Sequence, residues 1–140
     1  MNSDFKLNEK LSKDCIEIYE LPLCKVLLMN DSQYPWFILV PKVNDVVDLY
    51  QLEWKEQIQF LNESSLLSEI IMGIYPDGKL NVAAIGNLCP QLHIHHVVRF
   101  TNDVAWPRPV WGAFPAIPYG EKVSDEIKLV VAKALSKVVN

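Results

Sequence analysis

Gln91-Leu92-His93-Ile94-His95-His96-Val97-Val98-Arg99 contains all three histidines of a 140-residue chain. Successive side chains of a β-strand point to opposite faces. Read as a strand, this segment projects Gln91, His93 and His95 from one face, and Leu92, Ile94, His96 and Val98 from the other. One face thus carries three hydrogen-bonding groups in a row, about 6–7 Å apart. The opposite, mostly apolar face should meet a core.

The flanking sequence places this strand in a sheet. Upstream, Gly86-Asn87-Leu88-Cys89-Pro90 has loop composition and Lys79 to Ile85 reads as another strand. Pro76-Asp77-Gly78 turns the chain after a proline-free stretch, Leu52 to Ile74, which predicts a long helix. Its apolar residues fall on two faces at 100° per residue: Trp54, Ile58 and Leu61 on one, Leu67, Ile70, Ile71 and Ile74 on the other. Such a helix either kinks near Ser64-Ser65 or is covered on two sides. Further upstream, Ile16 to Glu20 alternates as a strand does. Lys25 to Met29 and Trp36 to Val40 are short apolar runs joined by the turn residues Asn30 to Pro35. They predict an antiparallel hairpin ended by Pro41.

Downstream, Trp106-Pro107-Arg108-Pro109-Val110-Trp111-Gly112 should be an ordered, irregular loop, because its rings are too large to leave in water. A final helix is expected with Ser124 as N-cap and Ile127, Val130, Val131, Ala134, Leu135 and Val138 as its apolar stripe. Strands, helix, strand pair and helix in this order imply an α+β fold with an antiparallel sheet of about five strands and two main helices. The length suits one domain, residues 1–140, with a motif region at about 15–99 and a Trp/Pro loop plus helix at 101–140.

Composition excludes several functions. Half the residues are hydrophobic and 21% are charged, so disorder is excluded. No apolar run approaches the ~18 residues of a membrane span. The first fourteen residues are polar and mixed in charge, which predicts no signal peptide. Thirteen basic against seventeen acidic residues give −4, without the basic field that a nucleic acid duplex requires. A small nucleotide needs only a local site. Cys15, Cys24 and Cys89 are odd in number, far apart and without a CxxC pair; they read as reduced thiols of a cytoplasmic protein.

The histidine segment admits three readings. A half-exposed strand can carry histidines without special function. A His-x-His pair on a strand can hold a metal, given a third ligand from elsewhere. A neutral imidazole can instead attack phosphorus and form a covalent intermediate that water hydrolyses. That needs a partner on the second ring nitrogen, and donors for the phosphoryl oxygens. Gly86 would let a loop approach a phosphate closely.

Gly86-Asn87 followed by Gln91-x-His93-x-His95-x-x-x-Arg99 resembles the motif of the histidine triad (HIT) superfamily, His-φ-His-φ-His-φ-φ preceded by Gly-Gln-x-φ-x. Leu27 to Asp31 followed by Trp36-Phe37-Ile38-Leu39-Val40-Pro41-Lys42 is similar to that family's hairpin, and Leu80-Asn81-Val82 to its strand before the motif loop. The match spans about Cys15 to Arg99. Three departures stand out: Gln91 replaces the first histidine, Asn87 the loop glutamine, and His96 an apolar residue.

The resemblance implies a HIT-like fold and a hydrolase or transferase acting at the α-phosphate of a nucleotide conjugate, of phosphoramidate or dinucleoside polyphosphate type. It implies His93 as nucleophile and His95 as donor to a phosphate oxygen or the leaving group. Gln91 would hydrogen-bond the phosphate or orient a neighbour. Asn87 would contact phosphate or leaving group, Asn30 or Asp31 the ribose hydroxyls, and Asn81 would support the site. Asp31 also reads as a turn residue, Asn81 as a structural amide, Trp36 and Trp54 as core, Arg99 as half of an ion pair and Cys89 as a small buried residue. The expected partner is a purine nucleotide or its conjugate, with no cofactor, metal, duplex or membrane. A homodimer through the long helix and an edge strand is expected. A nucleotide-binding module with little turnover and a His-x-His metal enzyme remain as alternatives.

Overall fold

In a computed structural model, residues 4–139 form a five-stranded antiparallel sheet with two long helices on one face; Met1 to Ser3 and Asn140, at the ends of the expected domain, lie outside the described residues. The elements are α1 (Glu9–Asp14), β1 (Cys15–Glu20), β2 (Cys24–Met29), β3 (Trp36–Pro41), α2 (Trp54–Ile74), β4 (Lys79–Ala83), β5 (Ile94–Arg99) and α3 (Glu121–Val139). Strand order is β1-β2-β3-β5-β4. β5 therefore sits between β3 and β4, with His95 opposite Ile38 and Ala83, and His96 opposite Phe37 and Val82. The architecture is the expected α+β arrangement.

The two apolar runs become β2 and β3 because both faces of the sheet are covered there. Val26, Leu28, Phe37, Leu39, Ile94 and Val98 face the long helices and meet Leu67, Ile71, Val131 and Leu135. Leu27, Trp36, Ile38, Val40 and Val97 face the other way and pack with Leu11, Cys89, Ala105 and Val110. A strand buried on both sides reads as a continuous apolar run rather than an alternation.

α2 is one continuous helix, with no break at Ser64-Ser65. Phe60, Glu63, Ser64, Leu67 and Ile71 form its buried face. The second apolar face is not covered: Ile58 and Leu61 are exposed, and Trp54, read as core from sequence, is 75% exposed. Glu63 fixes α2 to the β1–β2 turn. Its two carboxylate oxygens accept from the backbone N–H groups of Leu23 and Cys24, each at 2.8 Å, and one also accepts from Gln59 Nε2.

The ends differ from expectation. α3 starts at Glu121, so Ser124 lies inside it; the Ser124 hydroxyl donates to the Glu121 carbonyl instead of capping the helix. Only Val131 and Leu135 of the predicted stripe are fully buried, and Val130 and Val138 are exposed. α1 was not legible in the polar first residues. Asn8 caps it by accepting from Lys10 N–H, and Leu11 is its buried contact.

Candidate active site

A cavity of about 630 Å³ opens on the sheet face away from the long helices. Its walls come from α1, from the loop between β4 and β5, and from the loop after β5 that carries Val110, Trp111 and Phe114. His93, His95 and Trp36 line it as well.

His93 sits just before β5, and its Nδ1 lies 2.7 Å from the Gln91 carbonyl oxygen. A carbonyl only accepts, so Nδ1 carries the hydrogen and Nε2 keeps its lone pair. Gly86 lies against this ring. A Cβ at Gly86 would be 3.2 Å from His93 Cε1 and 2.9 Å from the Cys89 carbonyl oxygen, so only glycine lets the loop approach so closely.

His95 has the opposite tautomer. The Trp36 indole N–H, which can only donate, reaches His95 Nδ1 at 3.0 Å. Nε2 therefore carries the hydrogen, and it donates to the Ile85 carbonyl at 3.1 Å. The His93 ring packs edge-on at 5.0 Å between centroids and Trp111 at 5.1 Å. Burial pushes the His95 pKa from 6.5 down to about 4; the Ile85 hydrogen bond opposes this, and the neighbouring His93 and His96 add to it. His95 is thus neutral near pH 7.

His96 faces the core, as the alternation predicts. It is fully buried; Nε2 is 2.7 Å from Ser64 Oγ on α2 and Nδ1 is 3.2 Å from the Ile94 carbonyl. Burial lowers its pKa to about 4, against the weaker raising effect of that carbonyl.

The remaining sequence candidates divide. Asn30, Asp31 and Asn87 line the cavity with the two histidines; Gln91 and Asn81 do not. The Gln91 side chain turns toward the N-terminal segment, accepting from Asn8 N–H at 2.8 Å and donating to the Lys6 carbonyl at 2.9 Å. Only its backbone carbonyl meets His93. Asn30 Oδ1 accepts from Tyr119 N–H, and Asp31 Oδ1 accepts from Gln33 N–H and Gln33 Nε2. Asp31 Oδ1 also lies 3.4 Å from Ile117 N, so the two residues join the β2–β3 turn to the loop after β5. Asn81 Oδ1 is 3.4 Å from Arg99 Nη1, and Arg99 forms a buried ion pair with Asp103.

Residues 10–102 match the HIT domain. This chain belongs to the HIT family. Three solved HIT structures resemble it over nearly its whole length. A histidine triad protein from Marinobacter aquaeolei VT8 is 46% identical, covers 96% of this chain and 98% of its own, and superposes with a TM-score of 0.92. One from Bradyrhizobium japonicum is 39% identical over 93% of this chain and 97% of its own, with a TM-score of 0.90. One from Sinorhizobium meliloti 1021 is 34% identical over 94% and 98%, with a TM-score of 0.91. Among curated proteins none matches. HIT proteins are typically nucleotide-binding hydrolases or transferases, although some have no turnover.

Sequence reasoning missed two parts of this candidate site. Trp36 was read as core, and it is buried, yet its N–H contacts a site histidine. The signal was available: Trp36 Nε1–H needs an acceptor when buried. Lys10 and Lys13 on α1 also line the cavity. Nothing in a mixed polar stretch points to that. Among the described residues no helix is long and apolar enough to cross a membrane.

Proposed function

We propose that this HIT protein hydrolyses, or transfers, the nucleotidyl group of a purine nucleotide conjugate through a covalent adduct on His93. The supporting observation is the 2.7 Å contact from His93 Nδ1 to the Gln91 carbonyl, which leaves the Nε2 lone pair for the cavity. In the first step Nε2 forms a bond to the α-phosphorus, and the bond to the leaving group breaks with its electron pair. The ring becomes cationic, and the Gln91 carbonyl dipole stabilises the hydrogen on Nδ1. Water then attacks phosphorus, releases the nucleoside monophosphate and returns His93 to its neutral form. His95 Nε2–H, which donates to the Ile85 carbonyl here, becomes the donor to the reacting phosphoryl group when a phosphoryl oxygen takes that carbonyl's place. A cavity of about 630 Å³ suits a nucleotide-sized ligand. Asn30, Asp31 and Asn87 line the cavity, which supports a role for them at ribose and phosphate, whereas Asn81 and the Gln91 side chain act from outside the cavity.

Phosphoramidates and dinucleoside polyphosphates are the candidate substrate classes, with no cofactor required. A metal enzyme fits less well, because the Trp36 N–H occupies His95 Nδ1 and a carbonyl faces Nε2. A binding module with little turnover is the second reading. It is favoured by the Gln91 side chain, which holds residues 6–8 in place of facing the cavity.

The test is single-turnover hydrolysis of adenosine phosphoramidate, with mass spectrometry for the phosphohistidine adduct. His93→Ala should slow turnover by orders of magnitude and leave nucleotide affinity largely intact. Wild-type turnover in His93→Ala would overturn the assignment, and binding without turnover in the wild type would select the second reading.

The uncovered face of α2, with Trp54, Ile58 and Leu61, and the exposed Val82 on edge strand β4 form the surface for the proposed homodimer. Light scattering should give twice 16.0 kDa. A monomer mass at micromolar concentration refutes the dimer. The three free thiols fit the reducing cytoplasm proposed for this chain.

A further inference from the structure

We propose that Trp36 is a positioning residue that locks His95 in its neutral Nε2–H tautomer, making His95 a fixed hydrogen-bond donor to the phosphoryl group and not a titrating acid. The inference rests on the function proposed above and specifies how its second histidine works. An isolated neutral imidazole can place its hydrogen on either nitrogen. Here the choice is made from outside the ring. Trp36 starts β3, and its register opposite Val97 places the indole on the same sheet face as His95. Its N–H points at Nδ1 from 3.0 Å. An indole nitrogen offers no lone pair, so a hydrogen on Nδ1 would oppose the indole hydrogen directly. Both the other tautomer and the imidazolium are excluded by that one contact. Nε2–H is what remains, resting on the Ile85 carbonyl.

The surroundings do not offset this. Trp111 packs on the ring from the loop after β5, and Trp36 itself is tilted against it at 5.7 Å between centroids. The titratable groups around the cavity are His93 beside the ring, Lys10, Lys13 and Asp14 on α1, Asp31 after β2, and the Cys89 thiol in the loop before β5. His96 lies on the opposite sheet face. Asp14 is held by Lys10, and Asp31 accepts from Gln33, so neither carboxylate hydrogen-bonds His95. Among the groups that shift His95, none is an anion that favours its charged form. A proton needed by the leaving group must then come from solvent or from the leaving group itself. His95 contributes an invariant N–H.

The chain has three histidines, so its imidazole spectrum is simple. Two-bond proton–nitrogen correlation spectra of the uniformly ¹⁵N-labelled protein, assigned with His95→Gln, read the tautomer directly. We expect His95 with hydrogen on Nε2 and a bare Nδ1, unchanged between pH 8 and pH 5. In Trp36→Phe only the Ile85 carbonyl still favours hydrogen on Nε2, so the other tautomer should become detectable beside it. Adduct formation should slow about tenfold, as expected when a pre-placed donor is mis-set for much of the time. In a His95→Gln background, where an amide NH₂ has no tautomer to lock, Trp36→Phe should change the rate less than twofold. Hydrogen on Nδ1 in the wild type overturns the proposal, whether or not Trp36→Phe folds. So does an unchanged His95 spectrum in Trp36→Phe, or an equal rate loss in both backgrounds. The spectra need no substrate, so a verified lock together with full turnover in His93→Ala would sink the function and leave the tautomer assignment standing.

Discussion

Acid should destabilise this fold between pH 7 and pH 5, and the Ser64–His96 pair allows the effect to be measured. His95 and His96 both have pKa values near 4 in the folded chain against 6.5 when free, each chiefly through burial. With folded values depressed, the unfolded chain takes up the protons as pH falls through 6.5, and the folded chain follows only near 4. Stability is therefore complete above 6.5 and is lost on going down to 4. At 1.36 kcal/mol per pH unit the full interval amounts to about 3 kcal/mol per ring, and at pH 5 to about 2. The two rings together remove about 4 kcal/mol between pH 7 and pH 5, a large share of the usual 5–15. Glu20, lowered by its bond to Lys42, and Asp103, where burial is outweighed by Arg99 together with the Phe100 and Trp106 N–H groups, lose their contributions only below pH 5. Ser64→Ala/His96→Leu replaces both members of one buried pair by apolar groups. It should be nearly neutral at pH 7. Urea unfolding at fixed protein concentration should then show a loss of about 4 kcal/mol from pH 7 to pH 5 in the wild type and about 2 in the double variant. Equal losses in the two proteins would refute the claim that His96 is held neutral.

Glu63→Gln leaves one acceptor oxygen for the N–H groups of Leu23 and Cys24 and should lower stability by about 3 kcal/mol in urea unfolding, because charge-assisted buried bonds are lost. An unchanged midpoint would mean that the carboxylate is not the anchor of α2. Gly86→Ala places a methyl group 2.9 Å from the Cys89 carbonyl and 3.2 Å from His93, so the loop or the ring must shift. Adduct formation should slow by about tenfold or more, since small misplacements of a nucleophile are expensive, while a wild-type rate would show that the ring tolerates the displacement.

The strands and their faces were legible because they follow rules with a single period. Alternation placed His95 and His96 on opposite faces, and β5 obeys it; His93, just before β5, joins His95 at the cavity, whereas the Gln91 side chain expected beside them turns to the N-terminal segment. Apolar runs identified β2 and β3, since nothing else keeps such runs out of water. α2 was legible in extent, but not in which of its two apolar faces meets the sheet. That depends on Ser64 reaching His96 and Glu63 reaching the β1–β2 turn, contacts between residues 32 and about 40 positions apart. The cavity's composition was the least legible. Its floor comes from the motif, but its walls come from α1 and from the loop after β5, which are distant in sequence and have no periodic pattern. Trp36 and Trp54 show the same gap from the other side. Both were read as core; one is buried against His95 and the other lies in solvent.

Gln91 shows how a site can depend on a residue that does not enter it. What His93 requires from position 91 is a carbonyl oxygen, which every amino acid supplies. The side chain does different work, bridging Lys6 O and Asn8 N–H. Asn8 in turn caps α1, and Lys10, Leu11, Lys13 and Asp14 of α1 form part of the cavity wall. Gln91→Ala should therefore keep His93 oriented while loosening α1, as two bonds of about 1 kcal/mol each are lost. The expected result on a phosphoramidate is a kcat within about threefold of wild type and a KM raised about tenfold, the pattern of lost uniform binding. Amide exchange should quicken in residues 8–14 and stay unchanged in β5. A kcat lowered by orders of magnitude at constant KM would instead place the Gln91 amide at the reacting phosphate, in a conformation other than the one it adopts here.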